Sequence, residues 1–153
     1  MRKAVVVKVI TNKVEYLLRI LMDLIQNESK GYMLSKDIAE RQSIPPKYMP
    51  QLMALLTRQG WVTSMRGAGG GVRLAVDPDS ISIYDVVTAA GEPLLIKPCV
   101  EKKYACSLKE SCPLLPVWEK TQQEINKVLK DTTLSELVEN QKTVKGGMKN
   151  VKN

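Results

Sequence analysis

Over residues 11–26, Val14, Leu17, Leu18, Leu21, Leu24 and Ile25 recur at intervals of three and four, which predicts a helix with one apolar face. Gly31 interrupts the pattern. Ser35 then stands as N-cap of a short second helix over 36–42, with Asp37 in its first turn. Ser43-Ile44-Pro45-Pro46 reads as a turn, and proline at a first helical position forfeits no hydrogen bond, so a third helix starts there. Met49, Leu52, Met53, Leu55 and Leu56 form its apolar face and Gly60 ends it. Residues 61–65 and 72–75 read as strands flanking a glycine-rich turn at 66–71. Two short helices joined by a turn, followed at once by a hairpin, predict a helix-turn-helix with a wing.

Ser82-Ile83-Tyr84-Asp85 has the form of a capping box, with Ile81 and Val86 as a hydrophobic staple, and opens a helix over 83–90 that Gly91 and Pro93 end. Residues 92–112 have no period and read as a loop. From Pro113, the positions Leu114, Trp118, Thr121, Ile125 and Val128 step by four, three, four and three, the spacing of a helix that packs along another helix, and are expected to form a dimer seam. The same stripe is also compatible with ordinary core. Thr133-Leu134-Ser135-Glu136 is a second capping box, opening a last short helix. The expected fold is mainly α with a small β-hairpin wing: an N-terminal extension at 1–9, a winged helix-turn-helix domain at 10–91, the loop at 92–112, a dimerisation helix and short C-terminal helix at 113–140, and a disordered polar tail at 141–153.

The 153 residues are 44% apolar, which suits one domain with a real core. No run of eighteen apolar residues occurs, and the short basic start has no small-residue cleavage site, so a soluble cytoplasmic chain with no membrane partner is expected. The net charge of +7 is unevenly spread: residues 1–75 hold 12 Lys and Arg against 5 Asp and Glu, and the remainder 11 against 11. Excess positive charge on the winged half points to a polyanion, here double-stranded DNA, although a solvated basic surface would look the same.

Lys47 and Gln51 near the start of the third helix are candidates for the major groove; Tyr48 beside them fits either DNA or the core. Arg66 and Arg73, with Gly67 and Gly69 thinning the hairpin between them, are candidates for phosphate or minor-groove contact, and Lys36 and Arg58 for further phosphates. The glycine run is no nucleotide-binding loop, because no Gly-Lys-Ser/Thr follows and a strand, not a helix, comes next.

Cys99, Cys106 and Cys112 are the chain's only cysteines and fall within fourteen residues, and histidine is absent. An odd count in such a chain argues for metal or redox chemistry over a disulfide scaffold. Lack of histidine excludes Ser-His-Asp and Cys-His catalysis, histidine zinc sites and a histidine pH switch. Thiolates select iron-sulfur clusters, zinc or copper, and bare thiols remain open as well.

The segment from Gln59-Gly60-Trp61 through Ser64-Met65-Arg66-Gly67-Ala68-Gly69-Gly70-Gly71-Val72-Arg73-Leu74-Ala75 resembles the winged-helix regulator family that includes IscR, NsrR and CymR, with Val72 where tyrosine is usual. The likeness extends over about residues 10–129. Members that sense through a cluster carry three cysteines after the helix that follows the wing. This chain has them there, spaced C-x6-C-x5-C, one residue longer in the first gap. The resemblance implies an iron-sulfur cluster, 2Fe-2S or 4Fe-4S, with a fourth ligand that is either a histidine or a carboxylate near the start of the first helix, supplied by the partner subunit. Glu15 is the matching carboxylate; it equally fits a capping box over Asn12-Lys13-Val14-Glu15. Pro50 stands where base-reading members have glutamate, so no operator sequence carries over.

The expected function is a homodimeric DNA-binding regulator, a repressor, whose operator affinity follows the state of an iron-sulfur cluster; it is not an enzyme. The alternatives are a regulator of the same fold that senses through unmetallated thiols, a small molecule or a partner protein, and a small iron-sulfur electron carrier, which would leave the basic glycine wing unexplained.

Overall fold

The computed structural model describes residues 10–92 and 94–149; the expected extension at 1–9 and the last four residues lie outside these. Helix α1 (Asn12–Gln26) is the centre of the molecule, with Val14, Leu17, Ile20, Leu21 and Leu24 all essentially inaccessible to water. It is touched by α2 (Ser35–Arg41), α3 (Met49–Arg58), α4 (Ile83–Ala89) and α6 (Leu134–Lys149). Strands β1 (Val62–Met65) and β2 (Gly71–Leu74) form the antiparallel wing, paired from Val62 with Leu74 to Met65 with Gly71. The fold is thus mainly helical, a winged helix-turn-helix with a two-stranded hairpin, and α5 (Leu115–Asp131) lies between the cysteine loop and α6.

Among the described residues, Asp23 is the one carboxylate buried in this core, 2% exposed. It accepts from Arg41 Nε at 3.1 Å and Nη2 at 2.6 Å, and from Gln42 Nε2 at 2.8 Å, so that α1 grips the end of α2 through three hydrogen bonds. The hydrogen bond to Asp23, and the negative charges of Asp23 and Asp37, raise the Arg41 guanidinium above its ordinary pKa against a smaller opposing effect of burial.

The wing is fastened to the body by Met33, whose amide donates to the Val72 carbonyl at 2.9 Å and whose carbonyl accepts from the Val72 amide at 2.8 Å. Gly71 makes that bridge possible: at φ +147° a side chain is strained, and a Cβ there would lie 2.4 Å from the Met33 carbonyl oxygen. Val72 is buried beside it.

The structure changes several local expectations. Thr11, not Asn12, is the N-cap of α1, its hydroxyl accepting from the Val14 amide, and Glu15 pairs with Arg19 one turn on instead of returning to the cap. Ser35 is the first residue of α2, with Leu34 at the cap position and no side-chain cap bond. The last helix does not stop at 140: α6 continues to Lys149, correcting the disordered tail expected from 141. Nor is it peripheral, since Leu134 and Val138 are buried and α6 packs on α1. The Ser82–Asp85 capping box forms as expected, and Thr133 accepts from the Glu136 amide.

Candidate functional site

The candidate DNA face begins with the 3-10 turn Pro46–Tyr48, which runs straight into α3. Lys47 and Gln51 are exposed there. Tyr48 is 40% exposed, but its ring packs on Tyr16 of α1 with centroids 5.8 Å apart, and Lys47 Nζ lies 5.1 Å from its centroid. Tyr48 therefore props the start of α3 against α1. Lys36 and Arg58 are exposed at the first turn of α2 and the end of α3. At the wing, Arg66 is exposed beside the turn that Gly67 and Gly69 form with positive φ. Arg73 is exposed but holds its guanidinium 4.9 Å over the Tyr32 ring, so it is partly committed to the protein.

The three cysteines come from different parts of the loop yet line a single cavity of about 240 Å³. Cys99 sits in the 3-10 turn Pro98–Val100, Cys106 in the irregular stretch after it, and Cys112 after the turn Lys109–Ser111, where the chain enters α5. All three are free; Cys106 is exposed and the other two half-buried. Tyr104, Leu108, Leu114, Leu115 and Trp118 give the cavity a mostly apolar wall, and Lys97 and Lys109 line it as well. Lys109 donates to the Glu101 and Tyr104 carbonyls at 3.1 and 3.5 Å, tying the middle of the loop together. No feature of the sequence around Lys109 marks it for this role.

No three cysteine or acidic side chains among the described residues stand where they would hold one metal ion. Glu15 is not brought to the cysteines within the chain: it faces solvent, its side chain 49% exposed, against Arg19. Leu114 and Trp118, expected at a dimer seam, form part of the cysteine cavity, because the loop folds back over the first turn of α5. The rest of that stripe is less engaged: Thr121 and Val128 are exposed, Val128 at 62%, and Ile125 is half-buried. Gln122 is the only residue α5 buries.

That glutamine gives no signal in the sequence, where it lies beside Thr121 and off the periodic stripe. Its Oε1 accepts from the Ile96 amide at 3.0 Å, and its Nε2 donates to the Leu94 carbonyl at 2.8 Å and to Asn126 Oδ1 at 3.0 Å. The cysteine loop is thereby clamped to α5 at its start by Gln122 and joined to it covalently at its end after Cys112.

A protein-family model described as Rrf2, iron-dependent transcriptional regulator, matches residues 10–140. The chain belongs to the Rrf2 family. Curated relatives include the HTH-type transcriptional regulator IscR of Klebsiella pneumoniae (strain 342), 33% identical over 132 residues that span 86% of this chain and 80% of that protein. IscR of Escherichia coli O1:K1 is also 33% identical, over 88% of this chain and 83% of its own. Among solved structures, IscR of T. potens superposes with a TM-score of 0.66 at 32% identity, covering 90% of each chain. CymR of B. subtilis, the global cysteine regulator, superposes with a TM-score of 0.71 at 26% identity, over 88% of this chain and 98% of that one. This Rrf2 member is a transcriptional regulator with a DNA-binding winged helix, not an enzyme, which removes the electron-carrier alternative. No helix among its described residues is long and apolar enough to cross a membrane.

Proposed function

We propose that this Rrf2 regulator acts in the cytoplasm as a homodimer on a double-stranded DNA operator, and that an iron-sulfur cluster held by Cys99, Cys106 and Cys112 sets its operator affinity. The observation that carries the reading is that three cysteines, scattered over fourteen residues, share one largely apolar cavity at the head of α5. Thiolates are soft ligands that suit an iron-sulfur centre, and the three thiols line one wall from which such a centre could be held. The fourth position is assigned, on the family resemblance, to Glu15 of the partner subunit; within its own chain Glu15 faces solvent beside Arg19 and does not line the cysteine cavity. Carboxylate is a harder and weaker ligand to such a centre than thiolate, which leaves that position exchangeable. When bound, the cluster supplies redox-active iron with one replaceable ligand.

The chain's own part is mechanical. Through Gln122 and Cys112, the loop conformation and α5 are held together. With Val117 and Val128 more than half exposed, α5 presents an apolar surface suited to a second copy. A change in the loop then alters how two α3 helices and two wings are spaced along the duplex. Lys47 and Gln51 are assigned to base edges, Arg66 with the Gly67 and Gly69 turn to the minor groove or flanking phosphates, and Lys36, Arg58 and Arg73 to phosphates.

Oxygen-free purification followed by iron and sulfide counting tests the metal assignment. A coloured dimer with iron and sulfide, losing both in Cys99→Ser, Cys106→Ser and Cys112→Ser variants, is expected. A second reading, in which bare thiols respond to oxidation, draws on the likeness to CymR of Staphylococcus aureus, solved in an oxidised form at 27% identity, and on the exposure of Cys106. A colourless, iron-free protein that still binds DNA would favour it.

A further inference from the structure

The surface of α3 carries more than its polar candidates. Lys47, Pro50, Gln51 and Ala54 are all exposed and stand at i, i+3, i+4 and i+7, so they form one stripe running from the 3-10 turn into the helix. Met49, Leu52, Leu55 and Leu56 are buried on the other side and fix which face looks outward. Two of the four outward residues are apolar, and they are one helical turn apart. Pro50 lies in the first turn of α3, where its missing amide hydrogen costs no intrahelical bond, and its exposed ring borders a shallow hollow between α2 and α3 with Lys36, Ala39 and Met53. No aspartate or glutamate occurs between Pro45 and Gly60.

Each base pair presents a distinct edge in the major groove, and thymine alone offers an apolar group, the 5-methyl, to side chains such as alanine. A terminal amide pairs in bidentate fashion with adenine N6 and N7, an ammonium with guanine O6 and N7, and the cytosine N4 amine calls for a carboxylate, which this stripe lacks. We infer that Pro50 and Ala54 form a patch that reads the thymine 5-methyl group, so that each operator half-site carries a thymine facing them, next to an adenine read by Gln51. The inference rests on α3 being the recognition helix. It makes Pro50, which reads no base by hydrogen bonding, a specificity-determining residue.

The test uses the full-length protein to select duplexes from a randomised library at fixed salt, and then replaces each thymine of the selected half-site singly by deoxyuridine, which removes only the 5-methyl. One thymine per half-site is expected at which this change weakens binding about fourfold, the worth of one buried methyl-sized group. A Pro50→Ser, Ala54→Ser double variant is expected to bind the thymine and uracil duplexes alike while keeping the wild-type salt dependence. Selected sites without a conserved thymine, wild-type binding indifferent to every uracil replacement, or a double variant with undiminished sensitivity would each overturn the inference; the wild-type arm does so whatever the variant's stability. Failure to retain any duplex would instead overturn the assignment of α3 to DNA.

Discussion

Gln122→Ala removes the side chain that clamps the start of the cysteine loop to α5. Two backbone groups lose their partners, the Ile96 amide at 3.0 Å and the Leu94 carbonyl at 2.8 Å. At about 1 kcal/mol net for each, the clamp is worth about 2 kcal/mol, because both groups can find water once the loop lifts. That energy corresponds to about a thirtyfold rise in local opening, with little effect on the α1 core, against whose edge the loop sets the partly buried Leu94. Amide hydrogen exchange reads the effect directly: Ile96 should exchange about thirtyfold faster in the variant, while the amides of Leu17 and Leu21 stay as they were. Gln122→Glu keeps the acceptor for the Ile96 amide but loses the donor to Leu94, and should fall between, at about fivefold. Equal exchange at Ile96 in all three proteins would refute the clamp, and with it the coupling of loop to α5.

Further outcomes follow from the fold. Arg41→Ala strands Asp23, 2% exposed, with Gln42 as its remaining partner, and should lower unfolding free energy by about 2 kcal/mol in urea titrations, less than for a fully enclosed pair because Arg41 is itself 36% exposed. The raised guanidinium pKa means that Arg41's contribution is complete below its ordinary value and fades only as pH climbs through the higher folded one, so it should be constant from neutral into strongly alkaline solution. Gly71→Ala drives a methyl against the Met33 backbone at a strained φ and should cost about 2–3 kcal/mol, seen as a lower thermal midpoint; an unchanged midpoint would mean the wing is not held as described. Arg66→Ala should reduce the slope of log affinity against log salt by about one for each phosphate that the guanidinium neutralises, and Arg73→Ala by less, because Tyr32 already holds that guanidinium.

The elements of this fold are legible because each has a strong local cause. The α1 face is written by leucines at helical spacing, the wing by strands around a glycine run, and α4 by a capping box that closes as expected. What stays hidden depends on partners distant in sequence. Asp23 sits among the α1 leucines and looks like a solvated charge until Arg41 and Gln42, eighteen and nineteen residues on, reach it. Trp118 and Leu114 follow the period of a helix seam, and only the return of the loop turns them toward the thiols. Composition after residue 141 is polar enough to suggest a tail, whereas α6 is nucleated by Leu134 and Val138 on α1 and propagates past that point. The cysteines form a group by their proximity in sequence; that they share a cavity is a property of the two 3-10 turns and the entry to α5.

Coupling between the thiol cavity and DNA is probed most directly by operator affinity measured without oxygen on one preparation, before and after chelation of its iron. A change of about tenfold or more in Kd is predicted, and it should vanish in Cys112→Ser. Identical affinity in the loaded and stripped states would contradict the account and leave a winged-helix DNA binder whose cysteines have no part in regulation.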